Sequence, residues 1–353
     1  MRIKVNEEIA KAAVYGGSFL GGGGGGDFRE GLKIAELALA LGDLFIVSVD
    51  ELLKESYIAT ASIVGAPAAK DKYVIPRHMV RAFELLMRMV DIPIRGIISS
   101  ENGGASITNG WIPAVLLDLP VVDAPANGRA HPTGIMGSIG LHKRPNYISI
   151  QACVGGDIRR GRYIELIVKG SLENADKIVR EASVQAGGMI AVARNPVERD
   201  YVAENAAVGG LSKAIKIGEI MIKHKDDVDE MSKKIIEYLG GGKIIGKGIV
   251  IDKNLETRGG YDMGKIMIRS NEKLYIIKFW NEYMSLETKE GFKIALFPDL
   301  ITTINTKTSL PLTSAEIKTG DEVIIMIIPG ENIPLGAGVK DHELIEQIWK
   351  IVQ

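Results

Sequence analysis

The sequence predicts an α/β fold: a Rossmann-like, mostly parallel sheet with flanking helices over residues 1–240, then a smaller β-rich domain with a short C-terminal helix over 241–353. Three observations predict it. Apolar runs of strand length alternate with amphipathic helical segments as far as Leu239. At Gly240-Gly241-Gly242 the pattern changes to short strands separated by turn signals. At 353 residues the chain also exceeds what one ordinary core accommodates, so two domains are expected.

The elements follow in order. A short helix is read over 6–15, then the glycine run GGGGGG at 21–26, then a helix over Phe28–Leu41 with Leu32, Ala35, Leu37 and Leu39 as apolar positions. Gly42 leads into a strand over 44–49. After a linker with Gly65-Ala66-Pro67, a helix over 77–89 places Val80, Phe83, Leu86 and Met87 on one face. The strand 95–100 ends directly at Glu101-Asn102-Gly103-Gly104, and a helix over 111–117 and a strand over 120–124 continue the alternation. Residues 147–154 and 163–168 are strand-like, 172–186 helical, and 189–194 (MIAVAR) a buried strand. A helical stretch over 197–224 is interrupted at Gly209-Gly210, and 227–239 forms another helix. From 243 to 328, strands such as KLYIIKFW and EVIIMIIP are set apart by turns at Arg258-Gly259-Gly260 and Ser270-Asn271-Glu272.

Charge and composition narrow the function. The formal net charge is −1 and no basic run occurs, so the electrostatic footprint of a nucleic-acid binder is missing. No stretch approaches the ~18 uninterrupted apolar residues of a membrane span, and the N-terminus lacks the apolar segment of a signal peptide. One cysteine, Cys153, excludes an internal disulfide and a Cys-rich zinc site and agrees with a cytoplasmic location. A small-molecule substrate fits these limits, and a chain of this size class is expected to self-associate as a homo-oligomer.

The glycine run contains G-x-G-x-x-G trivially, and Asp50 lies at the end of the next strand, where a ribose-binding acid would sit. The fingerprint requires a strand before the loop, whereas here a helical segment with a second glycine pair, Gly16-Gly17, precedes it. No Lys-Ser/Thr follows, so the P-loop pattern also fails, and NAD(P) is disfavoured as a cofactor. A connector, or a loop whose backbone approaches a ligand closely, remains. Asp27 at the start of the next helix reads first as an N-cap.

Glu101 follows a buried strand and is itself followed by Asn-Gly-Gly and then Ser106, Thr108 and Asn109. One ionisable group among neutral hydrogen-bonders suits a general base, and equally a surface loop acid. Asp123 and Arg129, in VVDAPANGRAHP, pose the same question; Arg129 near a strand end can clamp a substrate carboxylate and equally form a structural salt bridge. The histidines form no H-x-x-x-H or H-E-x-x-H pair. A mixed metal site of His131 with Asp123 and Glu101 stays open, and with it a divalent metal as cofactor. Cys153 in ISIQACV reads as a packing residue. Asn281-Glu282, in FWNEY, follows a hydrophobic strand and offers a contact between domains.

These pieces together resemble a known family. The segment GGGGGGDFREGLKIAELALALGDLFIVSVDEL, Gly65-Ala66-Pro67, SSENGGASITNGWIPAVLLDLPVVDAPANGRAHP, AAVGGLSKAIKIGE, TRGGYDMGKIMI, FWNEY and FPDLI are similar, in this order and over nearly the whole chain, to the S-methyl thiohydantoin desulfurase family. The resemblance implies hydrolytic removal of a methylthio group from C2 of a five-membered imidazolone ring, giving a hydantoin and methanethiol. Members often occur near or fused to hydantoinase and oxoprolinase proteins, which makes such a protein a partner to expect. The resemblance carries over Gly22, Gly23, Gly24, Gly25, Gly26 and Asp27, then Glu101 with Asn102 at the variable position of Glu-x-Gly-Gly, and Gly103 and Gly104. It also carries over Asp123, Gly128, Arg129, Asn281 and Glu282. His131 stands where the family has other residue types, and ENIPLGAGVKDHEL departs from its aromatic- and Arg-containing tail.

The expected mechanism assigns Glu101 as base on water, Asp123 or Glu282 as acid or orienting group at a ring nitrogen, and Arg129 as holder of a substrate carboxylate. The glycine loop supplies N–H donors to ring oxygens, with Asn102, Gly103, Gly104, Gly128 and Asn281 completing the substrate site. Three other readings stand beside it: a metal-assisted cyclic amidohydrolase, a non-catalytic subunit of a hydantoinase or oxoprolinase complex, and a dinucleotide-binding protein.

Overall fold

Local signals start the chain's elements. In the computed structural model, which describes residues 1–352, strand β1 (Arg2–Lys4) leads to Asn6, whose side chain accepts from the Ile9 N–H at 2.9 Å and so caps helix α1 (Glu7–Leu20). The helix does not stop at Tyr15 as expected. It runs on through Gly16-Gly17, because these positions allow backbone contact with a later helix: a Cβ on Gly16 would overlap the Ala214 carbonyl, and one on Gly218 the Ala12 carbonyl. Asp27 caps α2 (Phe28–Leu41) by accepting from the Arg29 N–H at 2.8 Å.

Seven strands and six helices then alternate irregularly. They are β2 (Phe45–Val47), β3 (Tyr57–Gly65), α3 (Pro76–Met89), β4 (Ile94–Ser99), α4 (Trp111–Leu116), β5 (Val121–Val122), β6 (Ser149–Gly155), β7 (Ile164–Gly170), α5 (Leu172–Gln185), β8 (Met189–Glu198), α6 (Arg199–Asn205), α7 (Gly210–Lys223) and α8 (Val228–Leu239). The first sheet has eight strands in the order β1-β2-β5-β4-β3-β8-β6-β7. Alternation along the strands divides the core between its faces. Ala61, Ile97, Ala152 and Ala193 pack with Phe19, Phe83, Leu86 and Trp111 on the α1, α3 and α4 side. Ile58, Ile98 and Val197 face Val202 of α6, and Cys153 and Val192 face Val179 and Ala182 of α5.

The expectation of a Rossmann-like, mostly parallel sheet is corrected. Only β2, β5, β4 and β3 are parallel to one another; β1 pairs antiparallel with β2, β8 antiparallel with β3 and β6, and β7 antiparallel with β6. The reason lies in the connections. Helix α3 is long enough to return the chain for a parallel neighbour, whereas only residues 156–163 link β6 to β7, which suffices for a hairpin and not for a crossover.

The second sheet is a curled antiparallel one with the order β13-β12-β11-β10-β9-β15-β14. Its strands are β9 (Lys243–Arg258), β10 (Tyr261–Ser270), β11 (Lys273–Trp280), β12 (Glu282–Thr288), β13 (Lys293–Leu296), β14 (Leu300–Asn305) and β15 (Glu322–Ile328); helix α9 (His342–Val352) packs against β11 and β12. Its own core gathers Ile266, Ile277, Phe279, Tyr283, Ile301 and Ile325. The reversal between β11 and β12 is a single residue, Asn281, in the left-handed region at φ 56°. This turn projects Asn281 and Glu282 toward the first sheet. Among the described residues no helix is long and apolar enough to cross a membrane.

Candidate active site

Parallel strands place ligand-binding groups beyond their carboxyl ends, where chain direction changes. Here a cavity of about 100 Å³ opens beyond β3 and β4, at the boundary where antiparallel β8 joins the parallel half. Ser62 to Gly65 of β3, Ser100 and Glu101 after β4, and Met189 and Arg194 of β8 form one wall. His131 to Gly134 and Arg180 of α5 form a second, and Gly25, Gly26, Asn281 and Glu282 close it from the side of the second sheet.

Two carboxyl groups from different sheets meet in this space. The Glu101 side chain is 13% exposed and accepts the His131 backbone N–H at 3.2 Å through Oε2. Glu282 is 3% exposed, and its Oε2 has no hydrogen-bond partner. Burial pushes the Glu101 carboxyl up to about 7, against the pull of the His131 N–H, Ser106 and the charges of Arg194 and Arg129. Burial and then the charge of Glu101 push Glu282 well above the ordinary range, with Arg129 opposing. Both carboxyls are thus held above the ordinary carboxylate range, each opposing the ionisation of the other.

The cationic side of the cavity comes from residues that the sequence reading passed over. Arg194 lies mid-strand in β8, is 2% exposed, and leaves Nε and Nη1 without hydrogen-bond partners; its Nη1 stands 3.7 Å from Asp176 Oδ1. Arg180 stacks over the Tyr261 ring at 4.1 Å and donates to the Gly260 carbonyl at 2.9 Å, tying α5 to the second sheet. The available signal for Arg194 was a charge closing the apolar run MIAVA. The buried strand expected over 189–194 ended at this charge, whereas β8 continues to Glu198 and encloses it.

The remaining expected residues separate into the cavity and its scaffold. Asp123 does not reach the cavity: its Oδ1 accepts from Leu211 and Ser212 N–H at 2.8 and 3.0 Å, and its Oδ2 from the Ser212 hydroxyl at 2.5 Å, which caps α7. Arg129 is fully buried outside the lining. It donates through Nε to Ala130 and through Nη1 to the Pro298 and Asp299 carbonyls, and it stacks on Phe297 at 4.5 Å, so it joins the sheets and acts on the two glutamates by charge alone. Asn102 donates to the Gly210 carbonyl at 2.8 Å, and Gly128 packs against the Pro334 carbonyl.

The glycine run is mainly a junction. It links two helices rather than a strand and a helix, unlike a dinucleotide loop. The Gly22 carbonyl accepts from Tyr283 N–H at 2.8 Å, Gly23 from Ser314 at 2.6 Å, and Gly25 from Ala105 and Ser106, both at 2.9 Å. Gly25 and Gly26 alone of the run line the cavity, where Gly25 lies against Gly103 and Gly26 against Gly104. Asp27 pairs with Arg29 at 2.7 Å, and Arg29 with Glu316 of the second sheet's side at 2.5 Å. Asn281 holds its turn, accepting the Asp262 N–H at 2.9 Å and lining the cavity.

The mixed metal site of His131, Asp123 and Glu101 does not assemble, because Asp123 is spent on α7. Among the described residues no group of three or more His, Cys, Asp or Glu side chains is gathered for a metal ion. His131 itself stays in the cavity, its Nε2 3.2 Å from the Ser100 carbonyl and 3.6 Å from Glu101 Oε2, and burial with the charge of Arg194 holds its ring neutral, down to about 3.

Comparison with known proteins fits this architecture. No curated protein matches the chain. A protein from Chromobacterium violaceum with an X-ray crystal structure shares the fold: TM-score 0.78, 18% sequence identity, 99% of this chain and 98% of that one covered. The model for the S-Me-THD-like N-terminal domain matches residues 9–157, with Gly25, Glu101 and His131, and that for the S-Me-THD-like C-terminal domain matches residues 170–334, with Arg194 and Glu282. Both walls of the cavity therefore fall within the matched regions, and the chain belongs to the S-Me-THD-like family, that of the S-methyl thiohydantoin desulfurase-like proteins.

Proposed function

We propose that the cavity hydrolyses a small five-membered nitrogen ring of the S-methyl-thiohydantoin or hydantoin type, releasing the C2 sulfur substituent as a thiol. The observation that carries this reading is the buried pair Glu101 and Glu282, contributed by opposite sheets to one cavity and both pushed above the ordinary carboxylate range, so that the pair can hold one proton and one charge. Family membership supports the ring class. The volume of about 100 Å³ suits a single small ring, well below the ~300 Å³ at which drug-sized pockets begin.

The C2 atom of such a ring is amidine-like and becomes electrophilic when its imine nitrogen is protonated. Glu282, protonated, donates to that nitrogen while ionised Glu101 takes a proton from water, and the water oxygen bonds to C2. The C2–S bond then breaks, and methanethiolate leaves with the proton held by Glu101. The hydroxyl on C2 returns its proton to Glu282 as the carbonyl forms, so both carboxyls end as they began.

Thiol release from an S-methyl-thiohydantoin by the purified protein tests this directly. Turnover is expected to fall at least about a hundredfold in Glu101→Gln and in Glu282→Gln with the melting transition kept. Wild-type turnover in Glu101→Gln would remove it as the base, and a wild-type protein that neither binds nor turns over such rings would sink the reading.

A further inference from the structure

A sheet edge left open presents a row of unpaired N–H and C=O groups, and folded chains keep such edges short, cover them or pair them. The first sheet ends in β1 and β7, the second in β13 and β14. Strands β1 and β13 run for only three and four residues. Strand β14 is covered by the segment after it: the Asn305 N–H donates to the Leu310 carbonyl and the Leu312 N–H to the Thr303 carbonyl, both at 2.9 Å. Strand β7 is neither short nor covered. All of Ile164–Gly170 pairs with β6 on one side, and among the described residues its backbone makes no hydrogen bond on the other.

The side chains along this edge are self-complementary. Ile164, Leu166 and Val168 turn to the α5 core, and Glu165, Ile167 and Lys169 to the opposite face. Ile167 is 37% exposed, and Ile164 and Leu166 stay only half-buried because no strand lies beyond them. An antiparallel second copy related by a two-fold axis at Ile167 sets Glu165 opposite the partner's Lys169, Lys169 opposite the partner's Glu165, and Ile167 opposite itself. On the α5 face Leu166 then meets the partner's Val168. Opposite charges and apolar pairs directly across are the arrangement that stabilises neighbouring strands. Moving the axis by one residue loses both charge pairs, and moving it by two sets Glu165 or Lys169 opposite its own copy. The Lys169 ammonium has no hydrogen bond or ion pair among the described residues, whereas Glu165 is held by Arg81 at 2.8 Å. The partner's Lys169 would thus extend an alternation of charge that Arg81 and Glu165 begin.

Helix α5 contributes to the same edge. Its Arg180 reaches toward Gly65 at the end of β3 and donates to the Gly260 carbonyl, on the side away from β7. Residues two apart on a helix point about 200° away from one another, so Ile178, with Asn174, Glu181 and Gln185 in its row, turns toward the β7 side. Ile178 is 45% exposed. We propose that β7 is the interface between two copies of this chain, joined antiparallel about Ile167 into one continuous sheet, with the Ile178 rows of the two α5 helices flanking the axis. Such an interface is isologous and closes at two copies. It does not depend on the chemistry of the cavity.

Sedimentation of the full chain tests the pairing. Wild type is expected to run as a dimer at tens of micromolar. Lys169→Glu and Glu165→Lys each set like charges opposite one another and should each weaken dimerisation at least about tenfold with the melting transition kept. Mixed in equal amounts, the two variants should dimerise again, because every Glu then faces a Lys across the axis. A wild type that stays monomeric in this range overturns the proposal. So does a dimer that neither substitution weakens, which would place the contact elsewhere, and so does a mixture that stays apart, which would remove this register. Since Glu165 also holds Arg81, amide exchange of the wild type supplies a readout that needs no variant. Exchange in residues 164–170 should slow as concentration rises through the dimerisation range, and rates independent of concentration overturn the assignment.

Discussion

Glu101 carries a proton affinity raised from 4.5 to about 7, so the folded protein holds that proton more tightly than the unfolded chain does. The sign of the effect on stability follows. The penalty is absent below about pH 4.5, grows between about pH 4.5 and 7, and is full above that, at most about 3 kcal/mol. Glu101→Gln should therefore melt higher than wild type at pH 8 while matching it near pH 4.5; equal melting at both values would show that the carboxyl is solvated rather than buried. The rate should run the opposite way, rising as Glu101 ionises near pH 7 and falling where Glu282 loses its proton at higher pH, a bell that belongs to the pair. Glu101 was legible in the sequence because a carboxylate stood directly after a buried strand. Arg194 was not, because a guanidinium enclosed within a strand looks, in one dimension, the same as one that terminates it. Asp123 was read for chemistry since nothing in VVDAP shows that a helix N-terminus nearly ninety residues later will occupy it.

At the scale of elements, Asp123 and the glycine loop make separable predictions. Asp123→Ala removes three hydrogen bonds at the start of α7 and leaves two amides uncapped, so it should cost about 1–2 kcal/mol in denaturant melts while turnover per folded molecule is kept. Loss of turnover without loss of stability would return Asp123 to the chemistry. In the loop, Gly24 does not occupy a left-handed conformation, and a Cβ there would meet the Glu282 side chain. Gly25 has φ 72°, and a Cβ there would meet the Gly103 backbone. Gly24→Ala should thus lower turnover by displacing the acid with a modest effect on melting, whereas Gly25→Ala should destabilise by more than about 1 kcal/mol whatever its activity. The reverse ranking would mean that the loop moves more readily than Glu282. Strand β3 escaped the sequence reading for a related reason. YIATASIVG carries Ile58, Thr60, Ile63 and Val64, but Ala59, Ala61 and Ser62 between them, which let neighbouring backbone and the cavity approach, interrupt the bulky apolar run that marks a central strand. The same limit explains the sheet's mixed direction, for which the short link between 154 and 163 was the visible clue.

At the scale of the whole molecule, the cavity has no existence within either sheet alone. Glu101, His131 and Arg194 come from the first, Glu282 and Asn281 from the second, and the glycine loop lies pressed between them. The family models part between residues 157 and 170, inside the first sheet, whereas the second sheet begins at Lys243. A fragment ending at Gly240 tests what the loop needs. It would lose the Tyr283 and Ser314 amides that the Gly22 and Gly23 carbonyls accept, the Asp299 and Pro298 carbonyls that take Arg129, and the apolar cover that Phe297, Leu300 and Met284 give to the first core. Arg129 would then be a buried cation without its acceptors, which is costly to leave so. The fragment should therefore be aggregated or molten, with no cooperative melting transition, while the full chain unfolds in one step. A soluble fragment with its own sharp transition would show that the first sheet is self-sufficient and that the second merely delivers Glu282. In that case adding residues 241–353 as a separate chain should restore thiol release, because every group of the proposed mechanism except Glu282 would already be in place.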